Sequence, residues 1–254
     1  MVQVSRRPGV TGSALIRLLT RLTDHGVPES RQGFAERLSH WLRWTDAISL
    51  SSALNSPPSS APSGARAASA SAEERECARV RTALTKAITD GTAFSVDDFA
   101  PYRQRYIARQ QAMEAGIGPL RGRLRAVLAA KSPELARLAS VDAVMEQALD
   151  PQEQRLLATV PSLLEKYFKR LRQDHLATLA HETDETDETD QAAQAVMGAT
   201  PAPEGQGRPS SSPIQAQPAA WLDAFGKDMQ GVLLAELDIR FQPVEGLLEA
   251  LRAK

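Results

Sequence analysis

Hydrophobic residues recur at helical spacing along most of the chain, and the clearest pattern lies within 150–179. The members of this stripe are three or four residues apart: Leu157, Val160, Leu164, Tyr167 and Leu171. This spacing places them on one side of an α-helix, where they must be buried against another element. Asp150 and Pro151 predict the start of the helix, because Asp is a favoured N-cap and Pro suits the first helical position.

Two amphipathic helices are predicted near the N-terminus. The first begins at Ser13 and ends before Gly26, and the second runs over 30–49. The second contains Trp41 and Trp44, which form either part of the core or an exposed patch that binds a partner. We favour the core, because tryptophan in a small helical bundle is mostly buried.

Helical patterns continue between residues 73 and 149. Cys77 belongs to the apolar stripe of the first helix there, which favours an inert core thiol over a nucleophile. A further helix follows Ser95, and the glycines and proline of 116–119 either kink or break it. The pattern over 73–180 therefore predicts a helical core.

Two stretches lack hydrophobic periodicity and are predicted to be disordered linkers. The first, 55–72, is rich in Ser, Ala and Pro. The second, 181–218, opens with three tandem Glu-Thr-Asp triplets over 182–190 and continues with Pro, Ser, Gly and Gln. Six carboxylates in nine residues repel one another, so we interpret this stretch as an acidic tether.

After the tether, the hydrophobic pattern returns as a C-terminal helical arm over 219–254. Its candidate interaction residues are Trp221, Phe225, Met229, Leu233, Leu237 and Phe241. So much apolar surface must dock, either on the same chain or on another protein. We favour a partner or a second copy, because a long tether is unnecessary for an arm that never leaves its own bundle.

The predicted fold is all-α: a helical bundle with a C-terminal helical arm, separated by disordered low-complexity linkers. The segments, in order, are an N-terminal helical pair, a linker, the core, the tether and the arm: 1–54, 55–72, 73–180, 181–218 and 219–254.

The net charge of −1 conceals an uneven distribution, because 181–217 carries −6 and the remainder carries +5. Arginines alternate with aromatic residues over 99–125, as in proteins that contact phosphates and stack on bases. The candidate phosphate contacts are Arg103, Arg105, Arg109, Arg121 and Arg125. Their directions around a helix differ, which favours a solvated surface and leaves nucleic-acid binding as an alternative.

The sequence contains no recognisable catalytic, metal or cofactor motif. One cysteine excludes a thiolate cluster within the chain, and the four histidines form no H-x-x-x-H pair. The glycines at 116, 118 and 122 do not match the dinucleotide fingerprint. We therefore predict no catalytic residue, no cofactor and no metal. An enzyme of unrecognised type stays a second alternative.

No hydrophobic run approaches the ~20 residues of a membrane-spanning helix. The N-terminal residues lack the hydrophobic region of a signal peptide, since Arg17 and Arg21 interrupt the apolar positions. These observations predict no membrane span and a cytoplasmic protein.

Three passages resemble a proteobacterial family known only as a domain of unknown function. They are SALIRLLTRL…FAERLSHWLRWTDAISL, VDAVMEQALDPQEQRLLATVPSLLEKYFKRLR and DIRFQPVEGLLEALR. The resemblance implies a cytoplasmic bacterial accessory subunit, encoded near inner-membrane and peptidoglycan-binding envelope proteins. It implies no activity and no catalytic residue.

These observations together predict a non-enzymatic helical interaction or assembly protein. Its partner is another protein or a second copy, bound through the C-terminal arm.

Overall fold

A computed structural model describes residues 13–23, 36, 39, 41–55, 70–90, 97–196 and 220–253, with the backbone alone over 182–196. These ranges form α-helices and contain no β-strand. The helices are α1 (Ala14–Thr23), α2 (Trp44–Asn55), α3 (Ala70–Thr89), α4 (Ala100–Lys131), α5 (Pro133–Leu157), α6 (Val160–Val196) and α7 (Ala220–Arg252). The predicted all-α helical bundle is confirmed.

Helix α7 lies at the centre of the bundle and contacts α1, α3, α4, α5 and α6. Its apolar residues face inwards on more than one side, and twelve of the thirty buried apolar side chains that are described belong to it. A helix that is apolar over so much of its circumference must be surrounded by other helices. The predicted arm is therefore an integral part of the core.

An aromatic cluster joins α4, α6 and α7 at one end of the core. The Phe225 ring lies 5.1 Å from the centroids of Tyr102 and Phe168, with both pairs edge to face. Trp221 lies 5.1 Å from Phe168 in the same geometry. Edge-to-face pairs place the positive edge of one ring against the negative face of the next. These contacts fix the three helices relative to one another.

The apolar stripe of 150–179 is buried, but two helices carry it. Helix α5 extends through Pro151 and ends at Leu157, and α6 begins at Val160. The predicted start at Asp150 is therefore wrong. Pro161 occupies the second position of α6, where a missing N–H costs nothing. The Thr159 carbonyl accepts from the Ser162 and Leu163 amides at 3.1 and 3.3 Å, and this closes the first turn.

The predicted second helix is interrupted at Leu42 and Arg43, and α2 begins at Trp44. The Asp46 carboxylate accepts from the Arg43 backbone N–H at 3.0 Å, which is the reciprocal half of a capping box. This bond explains why a new helix begins there. The Trp44 side chain is 81% exposed, so the prediction of a core position is wrong for this residue.

The two N-terminal helices contact different parts of the bundle. Helix α1 packs on α6 and α7, and the Arg170 guanidinium caps its end by donating to the Leu22 carbonyl at 2.8 Å. Helix α2 packs on α5, and none of its residues belongs to the main apolar core. The described parts of the predicted N-terminal pair therefore pack on different helices of the bundle.

The predicted linkers coincide only partly with the described residues. Helix α6 continues to Val196, through all three Glu-Thr-Asp triplets, so it enters the predicted tether by sixteen residues. Glu, Gln and Ala favour helix, and no Gly or Pro occurs before Gly198. The rest of the tether, and 56–69 of the first linker, lie outside the described residues.

Across the ranges that the structure describes, no helix combines the length and the hydrophobicity that crossing a bilayer would require.

Helix α4 continues without a break through Gly116 and Pro119, so the alternative of two separate helices is wrong. Gly116 faces α3. A methyl group on its Cα would lie 3.6 Å from Val80 Cγ1 and Leu84 Cδ1, which is ordinary van der Waals contact. The position therefore has room for alanine but not for a large side chain.

We expect Gly116→Ala to raise the free energy of unfolding by about 0.5–1 kcal/mol, because alanine costs less backbone entropy in a helix. Urea denaturation measures the change. Gly122→Ala is the matched control, because a methyl group there meets no atom within 4 Å. Gly116→Leu should instead destabilise by roughly 1–3 kcal/mol through overpacking. A stable Leu variant would show that α3 and α4 do not approach closely here.

Candidate functional site

The six predicted interaction residues of the arm lie inside their own chain. Five are at most 3% exposed: Phe225, Met229, Leu233, Leu237 and Phe241. Trp221 is half-buried beside Phe168 and His175. These side chains form the intramolecular interface of α7, so a partner could reach them only if α7 left the bundle.

Two of the five candidate phosphate contacts are engaged in an ion-pair cluster between α4 and α5. Arg121 binds the Asp142 carboxylate through two nitrogens at 2.6 and 2.8 Å. Arg125 Nη2 lies 2.5 Å from Glu146 Oε2. Their side chains are only 14% and 18% exposed. Both guanidinium groups therefore hold helices together.

The other three arginines of the set lie towards the first turns of α4. Arg103 is exposed. Arg105 and Arg109, one turn apart, line a cleft between α4 and α7 that also contains Lys227. The structure thus brings two of the predicted residues together and adds a lysine from α7 that the sequence had not indicated.

A buried carboxylate, Glu236, lies at the contact of α4 with α7 and is 0% exposed. The Tyr106 hydroxyl donates to its Oε2 at 2.6 Å. Gln110 Nε2 and Arg240 Nε donate to its Oε1, each at 3.0 Å. Both carboxylate oxygens are therefore satisfied by neighbouring side chains, as a buried charge requires.

This network continues towards α5. Gln110 Nε2 lies 3.2 Å from the Leu157 carbonyl, and Arg240 Nη1 lies 3.9 Å from Glu153 Oε1. Glu153 and Arg240 also line a cavity of about 170 Å³ between α4, α5 and α7. Burial raises the pKa of the Glu153 carboxyl, an effect that Arg240 opposes and Asp150 reinforces.

A second buried carboxylate, Glu73, lies in the first turn of α3 and is also 0% exposed. Its Oε1 accepts from Arg123 Nη2 at 2.8 Å, whereas its Oε2 has no hydrogen-bond partner within the described part of the chain. Burial, followed by the charges of Glu73 and Glu76, raises the pKa of the Cys77 thiol. A buried thiol with a raised pKa is a poor nucleophile, in agreement with the core position predicted for Cys77.

Sequence reasoning missed both buried acids. Glu236 stands on the apolar face of α7, between Leu233 and Leu237, with Arg240 one turn later. An acidic residue inside an apolar stripe, followed at i+4 by a basic one, was the available signal. No comparable signal existed for Glu73, because acids in the first turn of a helix are ordinary.

The three tyrosines of the chain all have raised pKa values. Burial is the main cause for Tyr102, and for Tyr106 the charge of Glu236 adds to burial. Burial and the hydrogen bond to Asp228 raise the pKa of Tyr167 to about 12. A phenol whose pKa is higher in the folded than in the unfolded state stabilises the fold below pH ~10, and this contribution falls as the pH rises towards 12.

Spectrophotometric titration should therefore show less phenolate in the native protein than in the unfolded chain at about pH 11, one unit above the ordinary phenol pKa of ~10. The same chain unfolded in urea is the control and should be mostly ionised at that pH. Native tyrosines that titrate at the ordinary value would contradict their burial.

Among the described residues, no three His, Cys, Asp or Glu side chains are arranged to hold a metal ion. The arrangement offers instead a fully satisfied polar network around Glu236, an ion-pair cluster and a basic cleft. The first two join helices, whereas in the cleft neither Arg109 nor Lys227 forms an ion pair with another described residue.

The chain belongs to the family described as "Protein of unknown function (DUF3348)", which matches residues 1–253. The predicted membership of a family of unknown function is thereby confirmed. Comparison with curated proteins and with solved structures finds no match to either.

Proposed function

We propose that the protein is a non-enzymatic helical assembly subunit that binds a protein partner through the outer face of α2. The observation that carries this proposal is the exposure of Trp44 and Ile48, which are 81% and 52% exposed and one helical turn apart. Large aromatic side chains are rarely left in water without a role, and tryptophan is enriched among the residues that dominate binding interfaces.

The position of α2 supports the proposal. The helix rests on α5 and contributes nothing to the main apolar core. Leu54, at the end of α2, is 50% exposed, and α5 itself exposes Leu138 and Leu156 by 39% and 58%. Helices α2 and α5 therefore carry five of the nine large apolar side chains that are exposed among the described residues.

The experiment compares a tagged wild-type chain with the double variant Trp44→Gln/Ile48→Gln in co-purification from the native source, followed by reciprocal capture. The variant should lose the partner but keep its melting temperature, because both side chains are solvated. Leu176→Gln is the matched control, since Leu176 is 54% exposed on α6. Undiminished capture by the double variant, or equal loss in the control, would refute the proposal.

Self-association through α7 is the second form of the proposal. It requires two copies to exchange this helix, because its apolar face is buried in the chain itself. Exchange predicts a dimer that forms slowly and only after partial unfolding. Light scattering of refolded protein, over a range of concentrations, tests it; a strict monomer rules this form out.

Binding of nucleic acid is less well supported than binding of a protein partner, because Arg121 and Arg125 form ion pairs with Asp142 and Glu146. Of the five candidates, Arg103, Arg105 and Arg109 lie outside that ion-pair cluster. Salt-dependent retention on single-stranded DNA tests this alternative, and three contacts predict a salt slope of roughly −2. Failure to bind at low salt would eliminate it. The cytoplasmic, envelope-related role implied by the resemblance stays a hypothesis.

A further inference from the structure

The cleft between α4 and α7 has an unbalanced charge. Three cationic side chains, Arg105, Arg109 and Lys227, line it together with one carboxylate, Asp223. Its formal charge is therefore +2. Burial, followed by the neighbouring charge of Arg109, lowers the pKa of the Arg105 guanidinium. Like charges one helical turn apart are unfavourable unless another group offsets them.

Arg109 has a hydrogen-bond donor that no other described residue satisfies. Its Nε is buried and has no hydrogen-bond acceptor in the described part of the protein. Within the same ranges, neither Arg109 nor Lys227 forms an ion pair. Arg121 and Arg125, further along the same helix, are both paired with carboxylates. The Arg109 guanidinium therefore lacks, among the described residues, both an acceptor for its Nε and a carboxylate that balances its charge.

The shape of the cleft limits the ligand. Its volume is about 160 Å³, below the ~300 Å³ at which pockets for larger organic ligands begin. Gly226 forms part of its wall, and a methyl group added there would meet no atom within 4 Å. The space in front of Gly226 is therefore open to a small ion or to the end group of a larger molecule.

We propose that this cleft binds a phosphate group, with Arg109 and Lys227 as its principal contacts. A phosphate carries a charge of about −1.5 to −2 at neutral pH and presents three acceptor oxygens, which matches a cleft of charge +2 with several donors. Guanidinium groups bind phosphate through paired hydrogen bonds, and lysine adds a point charge. The site is independent of the α2 face proposed above.

Isothermal titration calorimetry of the full-length chain tests the proposal with two probes, inorganic phosphate and glycerol 3-phosphate, at constant ionic strength. Saturable binding of one phosphate group per chain is expected. Binding of both probes indicates a site for the free ion, and binding of the ester alone indicates a phosphate carried on a larger molecule. Either result supports the site, whereas no saturable binding of either probe overturns it.

Variants locate the site. Arg109→Gln should weaken binding roughly tenfold or more, as expected for the loss of a charge-assisted hydrogen bond. It should not unfold the protein, because it removes a repulsive charge and shortens a poorly satisfied side chain. Gly226→Met should block the cleft without changing its charge.

Two matched controls accompany these variants. Arg103→Gln removes an exposed charge from the same helix, and Gly226→Ala changes the wall by only a methyl group. Both should bind as the wild type does. Equal weakening by Arg103→Gln and Arg109→Gln, or unchanged binding by Gly226→Met, would show that the ion is attracted by general surface charge and would refute the cleft as a site.

Discussion

Replacing Arg240 by alanine should lower the free energy of unfolding by about 3–5 kcal/mol, because it removes one partner of a buried ion pair. The Glu236 carboxylate is 0% exposed, and the Arg240 side chain is 12% exposed. Without Arg240, a buried acid would keep only the donors of Tyr106 and Gln110.

Urea denaturation measures this effect, and Arg103→Ala on α4 provides the control. Arg103 is exposed, so its removal should change stability by no more than about 0.5 kcal/mol. An Arg240→Ala variant that loses less than about 1 kcal/mol would mean that Glu236 finds solvent or another partner. The buried network would then not be what joins α7 to α4.

Removal of α7 should have a still larger effect. A chain that ends at residue 218 should show no cooperative thermal transition, because the apolar faces of α3, α4 and α6 lose their common partner. Each large apolar side chain contributes roughly 1.5–3 kcal/mol on burial. The eleven large ones that α7 buries together exceed the 5–15 kcal/mol of net stability of a typical domain.

The surface ion pairs that join α7 to α3 would be lost with it, and they account for little of this effect. Arg81 of α3 binds Asp238 at 2.6 Å and also Glu245, both on α7, and Arg252 of α7 binds Glu74 on α3. Exposed pairs of this kind are typically worth less than 1 kcal/mol each. Circular dichroism melts of 1–218 and of the full chain decide the point, and a truncated chain that melts like the intact protein would contradict it.

Periodicity predicted which residues are buried better than it predicted where helices end. Leu157, Val160 and Leu164 are all in the core, although a turn at 158–159 divides them between two helices. A short turn preserves the spacing of an apolar stripe, so the pattern cannot reveal it. Pro151 and Pro161 are both compatible with the first turn of a helix. Only tertiary packing decides which of the two lies near a helix start.

The destination of the C-terminal helix could not be read from its sequence. An apolar helix face must be buried, but its sequence pattern is the same whether the surface that covers it belongs to the same chain or to another protein. The preference for a partner rested on the length of the tether. In the structure, α7 of the same chain packs between α3, α4 and α6.

The polar sites depended on contacts between residues far apart in the chain. Glu236 meets Tyr106 and Gln110 across 130 and 126 residues, and no spacing within the sequence can indicate such pairs. The proximity of Lys227 to Arg109 could likewise not be predicted from spacing within the sequence. Arg121 and Arg125, in contrast, are one helical turn apart and share a face of α4, but their acidic partners on α5 were not foreseen.

Hydrogen exchange of the intact chain, measured by mass spectrometry on a dilute monomer, tests most directly whether α7 belongs to the core of its own chain. Amides in the middle of α7, around Phe225 to Phe241, should exchange only through global unfolding, as slowly as those around Tyr106 and Met113 in α4. Exchange in α7 that is faster than in α4 by orders of magnitude, with α4 still protected, would show that the helix leaves a stable bundle and would contradict the account.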